Sequence, residues 1–344
     1  MATTLVTHIH DRLLAQRQSL ANWLHNTPAS KRQTCLGAAP EQAVETRLEI
    51  LDEAIEKCEG DELGVCEVCH GHVEIERLEM DFTARVCLEH LSEEEQRRLE
   101  DDLELSQQVQ QALLPQQSPE IPGLDVAAFS RPARIVSGDY FDFFRFKDDT
   151  HGLTIGDVVD KGMAASLLMA SMQASLKILV SDNTSPQAVI ERLNSIFIHS
   201  VRLSQFVTLF LGQFDPATRR LTYTNAGHNP PLVLRKSIGN GSSPIEWLQP
   251  TGAAIGLIEQ FKFATATIDL RAGDIVVFYT DGVTDARNEQ GQYFGTQLLT
   301  EAVQAAADLA PRDLLYELRQ RLQTFTNGRA LEDDTTLVVC KVQS

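Results

Sequence analysis

Hydrophobic and polar positions follow two different patterns along the chain, and the change falls near Gly123. Before Gly123, the stretch 46–59 and the stretch from Ser92 to Leu114 have the spacing of helices with one apolar face. Ser92 and Glu95 form a capping-box sequence at the start of the second helix. Its apolar stripe is only partial, so an ordinary packed helix and a dimerising coiled coil both remain open.

After Gly123 the chain consists of short apolar runs separated by turns, with four helical stretches among them. The runs 206–214 and 274–279 are nearly continuous in apolar residues, which indicates strands buried on both faces. Short polar turns such as 215–220 favour antiparallel hairpins. These patterns predict an α+β fold in which two antiparallel sheets pack face to face between helices. The predicted strands are 124–129, 140–146, 152–158, 206–214, 221–225, 231–235, 263–270, 274–279 and 335–342, and the predicted helices are 164–180, 186–201, 296–307 and 311–325.

The charge of the chain changes at about the same place as the pattern. Residues 41–105 hold 22 Asp and Glu against 6 Lys and Arg, so this stretch carries −16 of the total charge of −18. A nucleic-acid-binding surface needs clusters of Lys and Arg, so we expect no nucleic-acid partner. Hydrophobic residues make up 43% of the 344 positions, which is enough for a packed core and argues against a disordered chain.

None of the hydrophobic segments is both long enough and free enough of polar residues to suggest a membrane span. The longest of them, 163–180, contains serines, glutamine and lysine and reads as a buried helix. The first residues lack the basic start and apolar run of a secretory signal. We therefore expect a soluble, cytoplasmic protein without a membrane partner.

Three cysteines and one histidine form two short pairs. Cys66 and Cys69 are separated by two residues, 17 residues follow, and Cys87 and His90 are again separated by two. Each pair can hold one side of a tetrahedral ion, and thiolates together with imidazole select Zn²⁺. Four protein ligands leave no open position for catalysis. We therefore predict one structural Zn²⁺ bound by these four residues.

The same segment resembles the C4 zinc finger of the DksA/TraR family over residues 41–95. The likeness lies in 63–69 (LGVCEVC), 75–79 (IERLE) and 87–90 (CLEH), where His90 stands at a position that is usually Cys in that family. The resemblance implies a small helical zinc-binding module. The 40 preceding residues leave no room for the family's long coiled-coil hairpin, so a role at RNA polymerase does not follow.

Four acidic sites after Gly123 share one local setting, an apolar strand that ends in Asp beside a small residue or a turn. They are 137–142 (SGDYFD), 155–162 (IGDVVDKG), 279–285 (YTDGVTD) and 332–336 (EDDTT). Converging carboxylates repel one another unless hard cations neutralise them, and carboxylate, carbonyl and water ligands select Mg²⁺ or Mn²⁺. Two such ions can hold a hydroxide in line with a phosphorus atom. One Asp-Gly pair alone would indicate a turn, but four such sites indicate a metal centre.

The order of these motifs and their amino acids resemble those of the PPM-type metal-dependent serine/threonine phosphatases, in the bacterial SpoIIE/RsbU branch, over about residues 105–342. The segments 107–115 (QQVQQALLP) and 225–231 (NAGHNPP) belong to the same likeness. The resemblance implies an αββα sandwich with a dinuclear Mn²⁺ or Mg²⁺ centre. The implied ligands are Asp157 as the bridge, the carbonyl of Val158, Asp139, Asp281 and Asp333, with Asp334 beside a loosely held third ion.

The sequence also departs from eukaryotic members of that class. Val159 stands where those enzymes have a His suited to protonate the leaving group, and their phosphate-binding Arg has no clear counterpart, Arg131 and Arg134 being nearest in sequence. His228 fits a turn at least as well as a catalytic acid, and no catalytic role is assigned to it. The segment 156–162 is not a phosphate-binding P-loop because its Lys precedes the Gly, which excludes a kinase or NTPase.

The sequence therefore predicts a phosphatase that hydrolyses phosphoserine or phosphothreonine, with Asp139, Asp157, Asp281 and Asp333 as catalytic residues. The branch resemblance implies a phosphorylated STAS-domain protein of a partner-switching pathway as substrate. The alternative is a non-catalytic zinc-containing interaction or transcription-regulatory protein that uses the fold as a scaffold. Homodimerisation through the helix from Ser92 to Leu114 is a further expectation. The predicted segments are a helical N-terminus at 1–40, the zinc module at 41–95, a linker helix and linker at 96–122, and the phosphatase domain at 123–344.

Overall fold

The three-dimensional structure is a computed structural model. It describes residues 42–60, 63–74, 77–78, 84–133, 135–158, 163–198, 206–236, 243–329 and 331–343, together with scattered positions between 10 and 25. The chain divides into two compact units, Met1–Asp102 and Leu103–Ser344. The predicted segment 1–40 lies for the most part outside the described residues, and the division into four segments stays a prediction.

The described part of the first unit contains a long amphipathic helix. Helix α1 (Gln42–Glu59) contains the predicted helix 46–59. A short 3₁₀ helix (Leu88–His90) lies further along the unit. Two small apolar clusters form the described interior, one of Leu13, Leu51, Ala54, Ile55 and Cys58, and the other of Cys66, Val73, Leu78 and Cys87.

Helix α2 (Glu93–Leu113) begins with the predicted capping box. The Ser92 N–H donates to Glu95 Oε2 at 2.9 Å, and the Glu95 N–H donates back to Ser92 Oγ at 3.3 Å. This reciprocal pair satisfies backbone donors that the start of a helix leaves without partners. The predicted capping box is therefore confirmed.

The second unit contains two five-stranded sheets in which all strand pairs are antiparallel. The strands are β1 (Leu124–Arg131), β2 (Asp139–Arg145), β3 (His151–Val158), β4 (Val207–Asp215), β5 (Arg220–Ala226), β6 (Leu232–Leu234), β7 (Ile245–Trp247), β8 (Ala266–Asp269), β9 (Ile275–Tyr279) and β10 (Thr335–Val342). Sheet one has the order β1-β10-β9-β6-β7, and sheet two has the order β2-β3-β4-β5-β8.

Helices cover the outer face of each sheet. They are α3 (Met163–Asp182), α4 (Pro186–Phe197), the one-turn α5 (Asp281–Thr284), α6 (Gly295–Ala305) and α7 (Pro311–Phe325). Helix α3 buries Met169 and helix α4 buries Ile190 against sheet two. Helix α6 buries Leu299 against sheet one, which α7 also covers. A third apolar layer, which includes Phe210 and Phe278, lies between the sheets. These layers confirm the predicted αββα sandwich.

The structure differs from the predicted elements where the elements are short. The sequence pattern does not predict β7 or α5, because three or four residues are too few to show a period. The predicted strand 263–270 shortens to β8, which forms the edge of sheet two and alternates between half-buried and exposed positions. None of the described helices combines the length and apolar character that a membrane crossing requires, and the cytoplasmic location stays a prediction.

The packing between the sheets leads to a prediction for Phe210. Its ring is fully buried, stacks on Tyr223 at 5.1 Å and meets the edge of Phe278 from the other sheet at 5.3 Å. Phe210→Ala should therefore lower the free energy of unfolding by about 3–5 kcal/mol, measured by urea denaturation. Tyr316→Ala, at a position that is 56% exposed, should change it by less than about 0.5 kcal/mol. Equal losses in the two variants would contradict this account of the core.

Candidate metal centres

Two of the predicted catalytic aspartates face each other on neighbouring strands. In the register of β2 and β3, Asp139 lies opposite Asp157. Asp139 is only 1% exposed. The structure therefore brings two carboxylate-bearing residues from separate motifs to the same end of sheet two.

The carboxylate of Asp139 also links this end of sheet two to sheet one. Thr280, which follows β9, and Thr336, in β10, donate their hydroxyls to Asp139 Oδ2 at 2.8 and 2.7 Å. The Thr336 N–H donates to Thr280 Oγ1 at 2.9 Å, which fixes the two threonines to each other. One oxygen of Asp139 is thus held by two donors from the opposite sheet.

Electrostatics at this site oppose the ionised carboxylate of Asp139. Burial raises the pKa of Asp139 well above its ordinary value, and repulsion from Asp157 raises it further. The two threonine hydroxyls lower the pKa and offset part of this effect. A buried carboxylate beside a second one is stable in its charged form when a cation neutralises the pair. The donor set therefore fits a hard divalent cation.

Asp334 anchors the loop that leads into β2. Its Oδ1 accepts the N–H of Ala133 at 2.8 Å, and its Oδ2 accepts the N–H of Gly138 at 2.7 Å. Both oxygens thus hold the backbone just before Asp139. The third ion expected beside Asp334 stays a prediction, and the structure adds a loop-anchoring role for this side chain.

Asp281 and Asp333 flank adjacent strands of sheet one at the same end of the sandwich. Asp281 follows β9 and opens α5, and Asp333 precedes β10. Gly282 packs so closely on this segment that a Cβ atom there would overlap the carbonyl of Asp334. The Asp-Gly pair is therefore required by close backbone packing.

Val158 places its carbonyl beside Asp157. A Cβ atom added to Gly138 would lie 3.1 Å from the Val158 carbonyl oxygen and 3.4 Å from Asp157 Oδ1. The Val158 N–H donates to the Gly138 carbonyl at 3.3 Å. Both predicted oxygen ligands of the 155–162 motif thus lie next to the loop that carries Asp139. Val159 lies outside the described residues.

The four zinc-ligand candidates form the most compact ligand group in the described part of the chain. Sγ of Cys66, Cys69 and Cys87 and a ring nitrogen of His90 all lie within 4.8 Å of one another. The two sulfurs of Cys69 and Cys87 are 3.8 Å apart, and Cys87 Sγ lies 3.1 Å from His90 Nδ1. No other group of three or more His, Cys, Asp or Glu ligands gathers in this way within the described ranges, so the aspartates lie less tightly together.

The thiols of this group have strongly different acidities. Backbone donation, first from Cys69, lowers the pKa of Cys66 to about 6. Burial, together with the neighbouring sulfurs of Cys66 and Cys69, raises the pKa of Cys87 to about 11. Gly71 N–H and Cys87 N–H point at the sulfurs of Cys69 and Cys66, each at 3.4 Å. Backbone donors of this kind favour thiolates, which are the form that binds a metal ion.

Sequence reasoning missed Gln110, which connects α2 to the Asp139 loop. Gln110 is buried, donates from Nε2 to the Ser137 carbonyl at 2.6 Å and accepts the Ser137 N–H at 2.8 Å. Ser137 Oγ in turn accepts the N–H of Asp139 at 3.0 Å. Gln110 lies in a run with several other glutamines, so only the fold distinguishes it from Gln111, which is exposed.

The arginines considered for phosphate binding and the histidine considered as a catalytic acid lie in different parts of the chain. Arg131 ends β1 opposite Thr335, with its side chain exposed, and Arg134 lies outside the described residues. His228 is buried, and its N–H donates to Asn225 Oδ1 at 2.8 Å. A side-chain hydrogen bond of this kind stabilises a turn. Burial lowers the pKa of His228 to about 4.

Comparison with known proteins places this arrangement in a family. Residues 147–343 match the family described as Stage II sporulation protein E (SpoIIE). Protein IcfG of Synechocystis sp. is 31% identical over 264 residues, which cover 69% of this chain and 41% of IcfG. Phosphoserine phosphatase RsbU of Bacillus subtilis is 29% identical over 248 residues, which cover 72% of this chain and 71% of RsbU.

A solved structure has the same fold as the second unit. The SiaA-PP2C domain of Pseudomonas aeruginosa aligns with a TM-score of 0.63 at 18% identity, over 72% of this chain and 98% of that domain. The chain spans less than half the length of IcfG, whereas the SpoIIE match covers more than half of this chain. The chain therefore belongs to the SpoIIE family, and its second unit has the PP2C-type fold.

Proposed function

We propose that the chain is a metal-dependent protein phosphatase that hydrolyses phosphoserine or phosphothreonine on a partner protein. The observation that carries the proposal is the buried Asp139 facing Asp157 at the ends of paired strands. The likeness to RsbU, which is named a phosphoserine phosphatase, supports the reaction. It also favours a phosphorylated STAS-domain protein of a partner-switching pathway as the substrate.

The proposed ligands for two divalent cations, Mn²⁺ or Mg²⁺, are the side chains of Asp157, Asp139, Asp281 and Asp333 and the carbonyl of Val158. When bound, such ions supply Lewis-acid activation of a water and neutralise charge on the phosphoryl group. Thr280 and Thr336 both donate to Oδ2 of Asp139 and so fix the side chain that would hold a cation. Asp334 keeps the loop before Asp139 in place. A non-catalytic scaffold would gain nothing from burying such a repulsive pair, so that alternative is not proposed.

The first unit binds one structural Zn²⁺ in this proposal, through Cys66, Cys69, Cys87 and His90. The four ligand atoms are already clustered, and the backbone donors to sulfur suit thiolates. His70 and His72, which lack the two-residue spacing, are not members of the cluster. The small apolar clusters of this unit make a bound ion a substantial part of its stability.

Helix α2 regulates the phosphatase in this proposal by moving the loop that carries Asp139. The paired hydrogen bonds between Gln110 and Ser137 make the position of that loop depend on the position of the helix. Leu105 and Val109 on α2 are 58% and 54% exposed, which suits homodimerisation through this helix. Control of this kind requires two positions of α2, one of which gives the metal ligands the better geometry.

The bridging ligand gives the first test of the phosphatase. Asp157→Asn should keep the fold and reduce Mn²⁺-dependent hydrolysis of p-nitrophenyl phosphate by about 100-fold or more, because the ions lose a shared anionic ligand. Asp269→Asn removes an exposed carboxylate that pairs with Arg220 and should leave the rate within about twofold. An Asp157→Asn enzyme that kept more than a tenth of the wild-type rate at saturating Mn²⁺ would sink the assignment.

The zinc site is tested by metal content and local protection. Protein purified without chelator should contain one zinc per chain by elemental analysis, and Cys66→Ser with Cys69→Ser should lose it, because the site needs its thiolates. Hydrogen exchange should then speed up in 63–74 and 84–91 while β3 and β4 stay protected. His72→Ala, which removes a neighbouring imidazole outside the cluster, should keep the zinc. Wild-type protein without zinc would refute the site.

Regulation through α2 is tested at Gln110. Gln110→Leu should lower the rate about tenfold on both p-nitrophenyl phosphate and a phosphoprotein, because the Asp139 loop loses both hydrogen bonds. Gln111→Leu, at the adjacent exposed position, should have little effect. Loss confined to the phosphoprotein would point to docking instead, and unchanged rates on both substrates would exclude control through this contact.

A further inference from the structure

We propose that His228 is a positioning residue for the aspartate centre, and that its imidazole sets the spacing between β4, beside Asp157, and the end of β9, beside Asp281. The inference rests on the proposed function, because it concerns the geometry of the same ligands. It assigns to His228 no contact with substrate and no proton transfer to the leaving group.

The turn that carries His228 is held from several sides. Asn225 is fully buried, accepts the His228 N–H at 2.8 Å and donates to the His228 carbonyl at 3.1 Å. The same amide of Asn225 donates to the Leu248 carbonyl at 3.2 Å. Gly227 adopts a φ of +70°, and Ala254 packs where its side chain would be. The backbone therefore fixes where the imidazole is placed.

One side of the imidazole contacts the strand next to Asp157. His228 Nδ1 lies 3.0 Å from Thr208 Oγ1. Thr208 is the residue of β4 directly opposite Asp157, and its hydroxyl lies 3.4 Å from the Asp157 carbonyl oxygen. A movement of the imidazole would therefore be transmitted through one hydroxyl to the backbone of the predicted bridging ligand.

The other side of the imidazole faces sheet one. The backbone carbonyl of Tyr279 favours the protonated ring, so it lies near the imidazole. His228 Nε2 is buried and has no hydrogen-bond partner among the described residues. Tyr279 is the last residue of β9, two positions before Asp281. The ring thus lies between β4, which pairs with the strand that carries Asp157, and the end of β9, after which Asp281 follows.

The chemistry of a buried imidazole suits this position. His228 is 2% exposed, and burial keeps the pKa of its ring near 4, so the ring is neutral at physiological pH. A neutral imidazole has one donor nitrogen and one acceptor nitrogen, which point in different directions within the plane of a rigid ring. It can therefore contact polar groups without placing a charge behind the carboxylates. Groups that orient metal ligands in this way typically contribute about 10- to 100-fold to metal affinity.

The test compares Mn²⁺ binding, followed by the electron paramagnetic resonance signal of free Mn²⁺, with kcat and KM on p-nitrophenyl phosphate in the full chain. His228→Leu should weaken Mn²⁺ binding and lower kcat, each by about tenfold, with KM within about twofold. His228→Asn, which keeps a polar atom near Thr208, should recover part of both losses. Thr208→Val should reproduce the defect, and Thr208→Ser, which retains the hydroxyl, should resemble the wild type.

The control is a buried threonine elsewhere in sheet two. Thr224 in β5 hydrogen-bonds to the Ala264 carbonyl, and Thr224→Val should leave Mn²⁺ binding unchanged. If His228→Leu does not fold, the comparison of Thr208→Val with Thr208→Ser decides the question. Variants of His228 and Thr208 that fold and bind Mn²⁺ like the wild type would overturn the inference and leave the proposed function standing. A wild-type protein that neither binds Mn²⁺ nor hydrolyses the substrate would instead overturn the proposed function, and the inference with it.

Discussion

Asp139 is buried opposite Asp157, and two ionised carboxylates in such a position raise each other's free energy. The surrounding structure is arranged to tolerate this repulsion while keeping both side chains at one place. Two threonine hydroxyls from the other sheet hold one oxygen of Asp139, and Asp334 fixes the loop in front of it. The close packing at Gly282 brings Asp281 to the same end. Each of these contacts restricts which residues can stand at its positions, and together they hold the carboxylates where the proposed cations would bind.

Much of the second unit was predictable from the sequence, because its strands and helices are long enough to show their period. The run 206–214 is nearly continuous in apolar residues because β4 is covered by helices on one side and by sheet one on the other. Asp157 and Asp281 could be found because each comes at the end of an apolar strand. Asp139 instead begins β2 and Asp333 precedes β10, so the expectation that every motif Asp ends a strand is wrong for these two. The fold prediction is confirmed, whereas the ligand roles of the aspartates stay proposals.

Contacts between distant segments could not be predicted from local patterns. In the sequence, nothing distinguishes Gln110 from the other glutamines of its helix. Only the fold brings it next to Ser137, just before β2. The pairing of His228 with Thr208 depends on the register of β4 and on the turn at Gly227, neither of which a single sequence displays. The zinc cluster is the opposite case, because the spacing of its four residues is itself the signal. The four ligand atoms lie together in the structure, as their spacing in the sequence predicts. That the bound ion is Zn²⁺ is part of the proposal.

The hydroxyl donors to Asp139 also constrain the order of events during synthesis. They come from residues 141 and 197 positions further along the chain, and β1 pairs with β10. Contacts between such distant residues form late, since the intervening chain must first be made and closed into place. A nascent chain on the ribosome therefore cannot complete the surroundings of Asp139 until Thr336 has emerged. Chains that are still being synthesised would therefore lack the formed aspartate site.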